Sequence, residues 1–386
     1  MNICIIGWYG SETLGDRSIL LGLSRIFNET YGKCKIFLGS FNAFYSERCL
    51  EEDKVFFEIL APMVEIELFN SRVKNTLKWI IEKSDMIVMG GGPIMDLQEL
   101  LMIRFAFEYA KRKNKKTALL GCGVGPIFDN FYKKIAVDIF QHSDLSILRD
   151  PISVSTANVI ARDFKCNLQI PLFHLHDPAI IPIGVFLESN YKAVPNNNLI
   201  INLRDYPAAA FKTSKKSDID KEFAEMIKRL SAGFNEISLV PNHTFFYGND
   251  DRVYLSTLKQ LANCLNVNVI QKPLSVLDLF ALISNAAACI GMRYHAIMFQ
   301  TLINGRNAII DYTLPKHGKT YSFLEYINGV PHYKDCYSNM HDTNFDLIEF
   351  SDKVKNISEK EKFCYEPNIF TDTTLQYSTC LKKYLA

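Results

Sequence analysis

The sequence has no run approaching the roughly 20 apolar residues needed to span a bilayer, so nothing in it reads as a transmembrane helix. It has no Cys-x-x-Cys pair. Its ten cysteines are scattered, and Cys4, Cys122 and Cys289 fall inside apolar runs. That distribution argues against a zinc site and a disulfide framework, and for reduced core thiols in a cytosolic protein. It also has no excess of charge of either sign. The formal net charge is +1, which gives no reason to expect nucleic acid or an anionic membrane as a partner. Residues 1–7 carry no basic segment ahead of their apolar run, so they read as a first buried strand and not as a signal peptide. Neither nucleotide fingerprint is present. The glycine-bearing stretch 7–16 is not Gly-x-Gly-x-x-Gly, and it lacks the lysine of a P-loop.

What is there is a repeated grammar of strand, glycine turn and helix. At 386 residues the chain exceeds one ordinary domain, and two α/β domains are the first expectation. The apolar run 3–7 is followed by Gly7, Gly10 and Gly15, then by Ile19, Leu20, Leu23, Ile26 and Phe27 at helical spacing. Strands are expected at 34–38, 64–68 and 85–89, the last running into Gly90-Gly91-Gly92. Three glycines have no side chains to pack, so they point to unusual backbone angles or close approach of a ligand. A helix over 97–111 ends in the basic run 111–116, which suits a helix C-terminus. Strand 117–120 ends in a glycine cluster through Gly125, and strand 145–148 ends in Arg149-Asp150-Pro151. Alternation of this kind predicts a parallel sheet with helices on both faces, with ligands gathered at the C-terminal strand ends.

His174-x-His176 lacks a third ligand at metal spacing and reads as structural. Prolines 171, 178, 182 and 195, with Asn196 to Asn198, mark a boundary. The expected domains are therefore 1–180 and 181–345, followed by a polar tail, 346–386, whose final helix near 375–384 has room to cross back to the first domain. The second half repeats the grammar. Strand 199–203 ends in Arg204-Asp205, Asp250-Asp251 opens a helix, and strand 307–310 ends in Asp311-Tyr312 and a polar loop through Lys319.

The stretch around which the rest is organised is 288–299. A small, apolar strand is broken by Gly291, and Arg293 and His295 follow before a helical pattern through Phe299. Arginine is a fixed planar cation suited to carboxylate and phosphate. Histidine holds or gives a proton near neutral pH. The pair reads either as an anion clamp beside a proton donor or as a surface arginine next to a core histidine. Asp16 reads either as a helix-start residue or as a base facing a ligand.

Several motifs together resemble the polysaccharide pyruvyl transferase family. They are Gly10 to Asp16, Gly90-Gly91-Gly92, Gly123-Val124-Gly125-Pro126, Arg149-Asp150, Asp177-Pro178-Ala179, Leu203-Arg204, Gly291-Met292-Arg293-Tyr294-His295-Ala296 and the loop Tyr312 to Lys319. The resemblance spans roughly residues 3 to 330, with the motifs in the family's order. The segment Ser11-Glu12-Thr13-Leu14 departs from the family's asparagine-containing turn. The resemblance implies two Rossmann-like doubly wound domains in a GT-B-like arrangement with an interdomain active-site cleft. It implies phosphoenolpyruvate as donor, a sugar as acceptor, and a pyruvate ketal bridging two hydroxyls as product, in surface (exopolysaccharide) biosynthesis. No cofactor and no metal are needed for that chemistry.

Phosphoenolpyruvate carries two anionic groups, so cations are needed at two places. Arg149 and Arg293 are expected to supply them, with Arg204 a third and Tyr312 and Lys319 nearby. His295 is the expected acid and Asp16 the expected base. Gly90, Gly91, Gly92 and Gly125 are expected to line the ligand with backbone N–H groups. The acceptor sugar's carrier stays open between lipid-linked, nucleotide-linked and polymeric, and Phe41, Phe44 and Tyr45 leave room for peripheral contact with the inner membrane face. A sugar-nucleotide glycosyltransferase on the same fold is the alternative.

Overall fold

The computed structural model describes the chain except for residues 12, 169–170, 190, 207–215, 246–248, 367 and 386; Glu12, in the first glycine turn, therefore lies outside the described residues. The chain forms two compact units. The first takes residues 1–11 and 16–185 together with the terminal helix Ile369–Leu385; the second takes residues 13–15 and 186–366.

The first unit is built on a parallel sheet of strands β1 (Asn2–Ile6), β2 (Cys34–Ser40), β3 (Val64–Asn70), β4 (Met86–Gly90), β5 (Pro93–Ile94), β6 (Lys116–Val124), β7 (Leu145–Leu148) and β8 (Leu172–His174). Their order is β3-β2-β1-β4-β6-β7-β8, with β5 added beside β6. Helices cover the sheet, so its inner strands are buried on both faces. This explains why they read as unbroken apolar runs rather than alternating ones. Ile3, Ile5, Ile87, Val88 and Leu119 are fully buried. The helix Leu14–Tyr31 lays Ile19, Leu23, Ile26 and Phe27, all fully buried, against this core. The chain order reverses between β1 and β4, the switch point at which such sheets place ligands.

The terminal helix packs on the first unit. The Tyr377 hydroxyl donates to the carbonyl of His176 at 3.1 Å. Phe370 fills the space that a side chain at Gly184 would need, since a Cβ there would lie 2.5 Å from the ring's own Cβ. His176 itself is held down to about 4 by burial, aided by His174 and opposed by Asp177. It is neutral at physiological pH, as a structural histidine should be.

The second unit repeats the plan with β9 (Asn198–Asn202), β10 (Glu236–Leu239), β11 (Val267–Val269), β12 (Ala288–Gly291), β13 (Asn307–Asp311) and β14 (Tyr337–Asn339). All are parallel, in the order β11-β10-β9-β12-β13-β14. Its switch point lies between β9 and β12, the strands that lead to Arg204 and to Arg293.

Candidate functional site

Arg293 is placed by three neighbours in the second unit. β12 ends at Gly291, where a Cβ would lie 2.5 Å from Gln300 Oε1 and 2.9 Å from Ile297, so glycine lets the helix Tyr294–Phe299 follow the strand at once. The Arg293 backbone N–H then donates to Oδ1 of Asn202, at the end of β9 (3.2 Å). Its guanidinium donates to Asp251 through Nε at 2.8 Å and Nη2 at 2.5 Å. Asp251 is buried and also accepts the backbone N–H groups of Asn242 and His243 at 3.1 and 3.0 Å. Arg293 is thus a cation held rigid by an internal carboxylate.

His295 follows, half-buried. Its ring stacks on Phe299, with centroids 6.1 Å apart, and meets Tyr294 edge-on at 5.0 Å. Residues 13–15 also belong to this unit. Thr13 bridges to His243, and the Leu14 N–H donates to the Asn242 carbonyl at 3.1 Å. A Cβ on Gly15 would lie 2.0 Å from His295 Nδ1, so the glycine leaves room for the imidazole.

The second group of charged side chains surrounds Tyr312. Arg204 lies two residues past β9, Tyr312 directly past β13, and Lys319 opens the helix Lys319–Tyr326. Arg204 Nη1 donates to the Tyr312 hydroxyl at 3.4 Å, and the guanidinium lies 5.2 Å from the centre of that ring. Lys319 Nζ lies 5.9 Å from the Tyr312 ring and 5.8 Å from that of Tyr294. Tyr206 packs on Tyr312 with centroids 5.1 Å apart. The loop is anchored by buried Asp311, which accepts from Thr313 N and Oγ1 (2.8 and 2.6 Å) and from the Tyr337 hydroxyl (2.7 Å).

Burial pushes the Tyr312 hydroxyl up, but Lys319, Arg204 and Arg293 together outweigh it and bring its pKa down to about 8. A phenol whose pKa is depressed by folding adds stability as pH rises from about 8 towards the ordinary tyrosine value, and loses that contribution as pH falls back through 8. The protein has 18 tyrosines, so a difference titration isolates this one. Phenolate absorbance of wild type minus Tyr312→Phe should rise once near pH 8. With Lys319→Met as the parent, the same step should move up. A step at the ordinary tyrosine value in wild type would overturn the assignment.

The first-unit residues expected to touch a ligand are engaged differently. Arg149 is 4% exposed, with Nε 3.6 Å from Asp150 and Nη1 3.5 Å from Asp177. Its guanidinium also fills the space beside Gly123, where a Cβ would lie 2.6 Å from Nη2. It is an internal ion-pair centre, and it follows β7, away from the switch point. Gly90, Gly91 and Gly92 are buried. The unusual backbone is present, with positive φ at Gly91 and Gly92, but the close approach is made by the protein's own side chains. A Cβ would meet Leu23 at Gly90, Ile19 at Gly91 and the Trp8 indole at Gly92. The triplet is therefore a packing device, contrary to the expectation that residues without side chains take no part in packing. Gly125 has a positive φ and donates its N–H to the Ile94 carbonyl at 2.8 Å. Asp16 lies in the first turn of the helix Leu14–Tyr31, where its charge suits the helix dipole. Of the aromatics expected near a carrier, Phe41 is buried and Phe44 is 69% exposed.

Asn202, Tyr206 and Asp251 were not legible as site residues. Asp251 read only as a helix opener, because its partner Arg293 is 42 residues away. Among the described residues no group of three or more His, Cys, Asp and Glu side chains could hold a metal ion. No described helix is long and apolar enough to cross a membrane.

The sequence profile described as polysaccharide pyruvyl transferase matches residues 14–309, most of the chain. No curated protein matches the sequence significantly. Among solved structures, the chain is similar to UDP-N-acetylglucosamine 2-epimerase from Rickettsia bellii, with a TM-score of 0.59 and 13% identity over 100% of this chain and 97% of that one. It is similar to the Methanocaldococcus jannaschii UDP-GlcNAc 2-epimerase in complex with UDP-GlcNAc and UDP, with a TM-score of 0.59 and 12% identity over 99% and 100%. It is also similar to Anabaena HepE in complex with UDP and glucose, with a TM-score of 0.53 and 12% identity over 99% and 100%. At these identities the likeness is one of fold: two Rossmann-like domains of the GT-B type.

Proposed function

We propose, from the premise that the chain belongs to the polysaccharide pyruvyl transferase family, that it moves the enolpyruvyl group of phosphoenolpyruvate onto two hydroxyls of one sugar, forming a pyruvate ketal in surface polysaccharide biosynthesis. The observation that carries this reading is the placement of Arg204, Lys319 and Arg293 around Tyr312 in the same unit as His295. A small donor with a carboxylate and a phosphate needs several fixed cations. Addition across its double bond needs a proton donor.

In this reading Arg204 and Lys319 hold the phosphate, Arg293 holds the carboxylate, and His295 protonates the methylene carbon. Protonation leaves cationic character on the neighbouring carbon, which one sugar hydroxyl then attacks. The second hydroxyl displaces phosphate, and His295, made basic by its first step, can take a hydroxyl proton. The reading rests on second-unit residues. Arg149, 4% exposed and closed in by Asp150 and Asp177, has no part in it, whereas the Arg293 side chain is 15% exposed beside its own carboxylate partner; Asp16 is not required by it.

The test is phosphate release from phosphoenolpyruvate against a panel of glucosides, galactosides and mannosides, free and lipid-linked, with products read by mass. A pyruvate ketal supports the reading. A product heavier by a whole sugar, formed from a sugar nucleotide, would replace it with a glycosyl transfer. Lys319→Met should raise the KM for phosphoenolpyruvate by tenfold or more, since a charged hydrogen bond is worth about 1.5–3 kcal/mol.

A further inference from the structure

One acid–base group in this cluster has no task in the reaction as written. The reaction also has one proton without a donor, because phosphate leaves an sp³ carbon poorly unless its bridging oxygen is protonated. The Tyr312 hydroxyl is hydrogen-bonded to Arg204, and its ring lies under Lys319. These are the two cations assigned to the phosphate, so an oxyanion held by both lies against the phenol. We propose that the Tyr312 hydroxyl is the proton donor to the departing phosphate, a catalytic role that rests on the pyruvyl-transfer reading above.

The step balances. The bond from the ketal carbon to the bridging oxygen breaks, and its electron pair stays on that oxygen. The oxygen takes the phenolic proton and leaves as hydrogen phosphate. The phenolate is stabilised by Lys319 and Arg204, with Arg293 beyond. It recovers a proton from one attacking sugar hydroxyl, while His295 recovers its own from the other. Two hydroxyl protons enter; one ends on the methyl carbon and one on phosphate.

The charged and titratable groups around Tyr312 are consistent with this. Arg204, Lys319 and Arg293 are the cations. Tyr206 stacks on the ring, and His341 Nε2 meets the Tyr312 carbonyl at 3.0 Å. Asp311 is buried below, engaged by Thr313 and Tyr337. A phenol brought down to about 8 is mostly protonated at neutral pH and is a stronger acid than an ordinary tyrosine.

The experiment compares wild type and Tyr312→Phe on two donors, phosphoenolpyruvate and the sulfate ester of enolpyruvate, with the glycoside panel as acceptor. Sulfate departs without needing a proton. Tyr312→Phe should lower kcat on phosphoenolpyruvate by about 10²-fold or more, with KM changed little. On the sulfate ester the loss should be less than about tenfold, because that departure does not draw on the acid. Equal losses on the two donors would assign Tyr312 a positioning role and overturn the proposal, as would an undiminished kcat on phosphoenolpyruvate. If wild type itself forms no ketal with any acceptor, the pyruvyl-transfer reading fails and the proposal with it. If wild type forms the ketal and the two esters suffer alike, only the Tyr312 role fails.

Discussion

Replacing His295 with glutamine is expected to lower pyruvyl transfer by about 10²- to 10⁴-fold, with phosphoenolpyruvate binding changed only a few fold. Protonation of a methylene carbon is slow without a positioned acid, and glutamine can hydrogen-bond but cannot give a proton. The imidazole is also well seated. Phe299 stacks on it, Tyr294 borders it, and Gly15 leaves the space that its Nδ1 occupies. Glutamine is smaller than the ring it replaces, so the half-buried site should fold with little strain. The comparison needs three measurements on one preparation: phosphate release with ketal mass, donor affinity, and the urea midpoint. Transfer at close to the wild-type rate would remove His295 from the chemistry. A lost midpoint together with lost affinity would mean that it holds the fold instead. Retained midpoint and affinity with a collapsed kcat is the expected pattern.

The fold was largely legible because its strands are covered on both faces. Strands such as Met86–Gly90 and Ala288–Gly291 have every residue buried, so they appear in the sequence as short continuous apolar runs ended by glycine. The alternation of such runs with helical periodicity was enough to expect two parallel sheets. Helices Ala43–Glu52, Lys54–Leu60 and Lys74–Lys83 were not placed from the sequence. They are short, and each buries only two or three residues, so few apolar positions mark them in the sequence. The terminal helix begins at Ile369, six residues before the expected start, because Ile369, Phe370 and Thr373 pack on the first unit through a stretch that reads as polar.

The candidate site was legible where chain neighbours make it and illegible where space does. Gly291, Arg293 and His295 form one local motif, and so do Tyr312 and Lys319. Which cation meets which partner depends on strand order. Arg204 reaches Tyr312 across 108 residues because β9, β12 and β13 are consecutive in the sheet. The same dependence hides the packing of Gly90, Gly91 and Gly92, whose missing Cβ atoms make room for Leu23, Ile19 and Trp8 more than 60 positions earlier. Arg149 is the clearest instance. At the end of β7 it reads as a ligand-binding cation or as one half of a salt bridge to a neighbouring acid; the acid that closes over it, Asp177, comes from the turn after β8, 28 residues on.

That closure predicts a large stability effect. Asp177→Ala should cost about 3–5 kcal/mol, because it leaves the Arg149 guanidinium buried with less compensating charge. Both side chains are at most 3% exposed, so water cannot replace the lost carboxylate. Asp177 also accepts the Ala179 N–H at 3.0 Å, which adds an unsatisfied donor to the loss. Asp150 cannot take over fully, since it caps the helix Pro151–Asp163 by accepting the Ser153 N–H at 2.6 Å. Removing both partners should cost less than removing one. In Arg149→Met/Asp177→Asn the buried cation is gone, a methionine fills most of the volume, and the amide oxygen still meets Ala179. Urea unfolding should therefore show a large loss in Asp177→Ala and a smaller one in the double variant. The double variant should also keep its KM for phosphoenolpyruvate. A loss below about 1 kcal/mol in Asp177→Ala would show that the pair contributes no more than a solvent-exposed bridge, and a collapsed donor affinity in the double variant would restore Arg149 to the binding site.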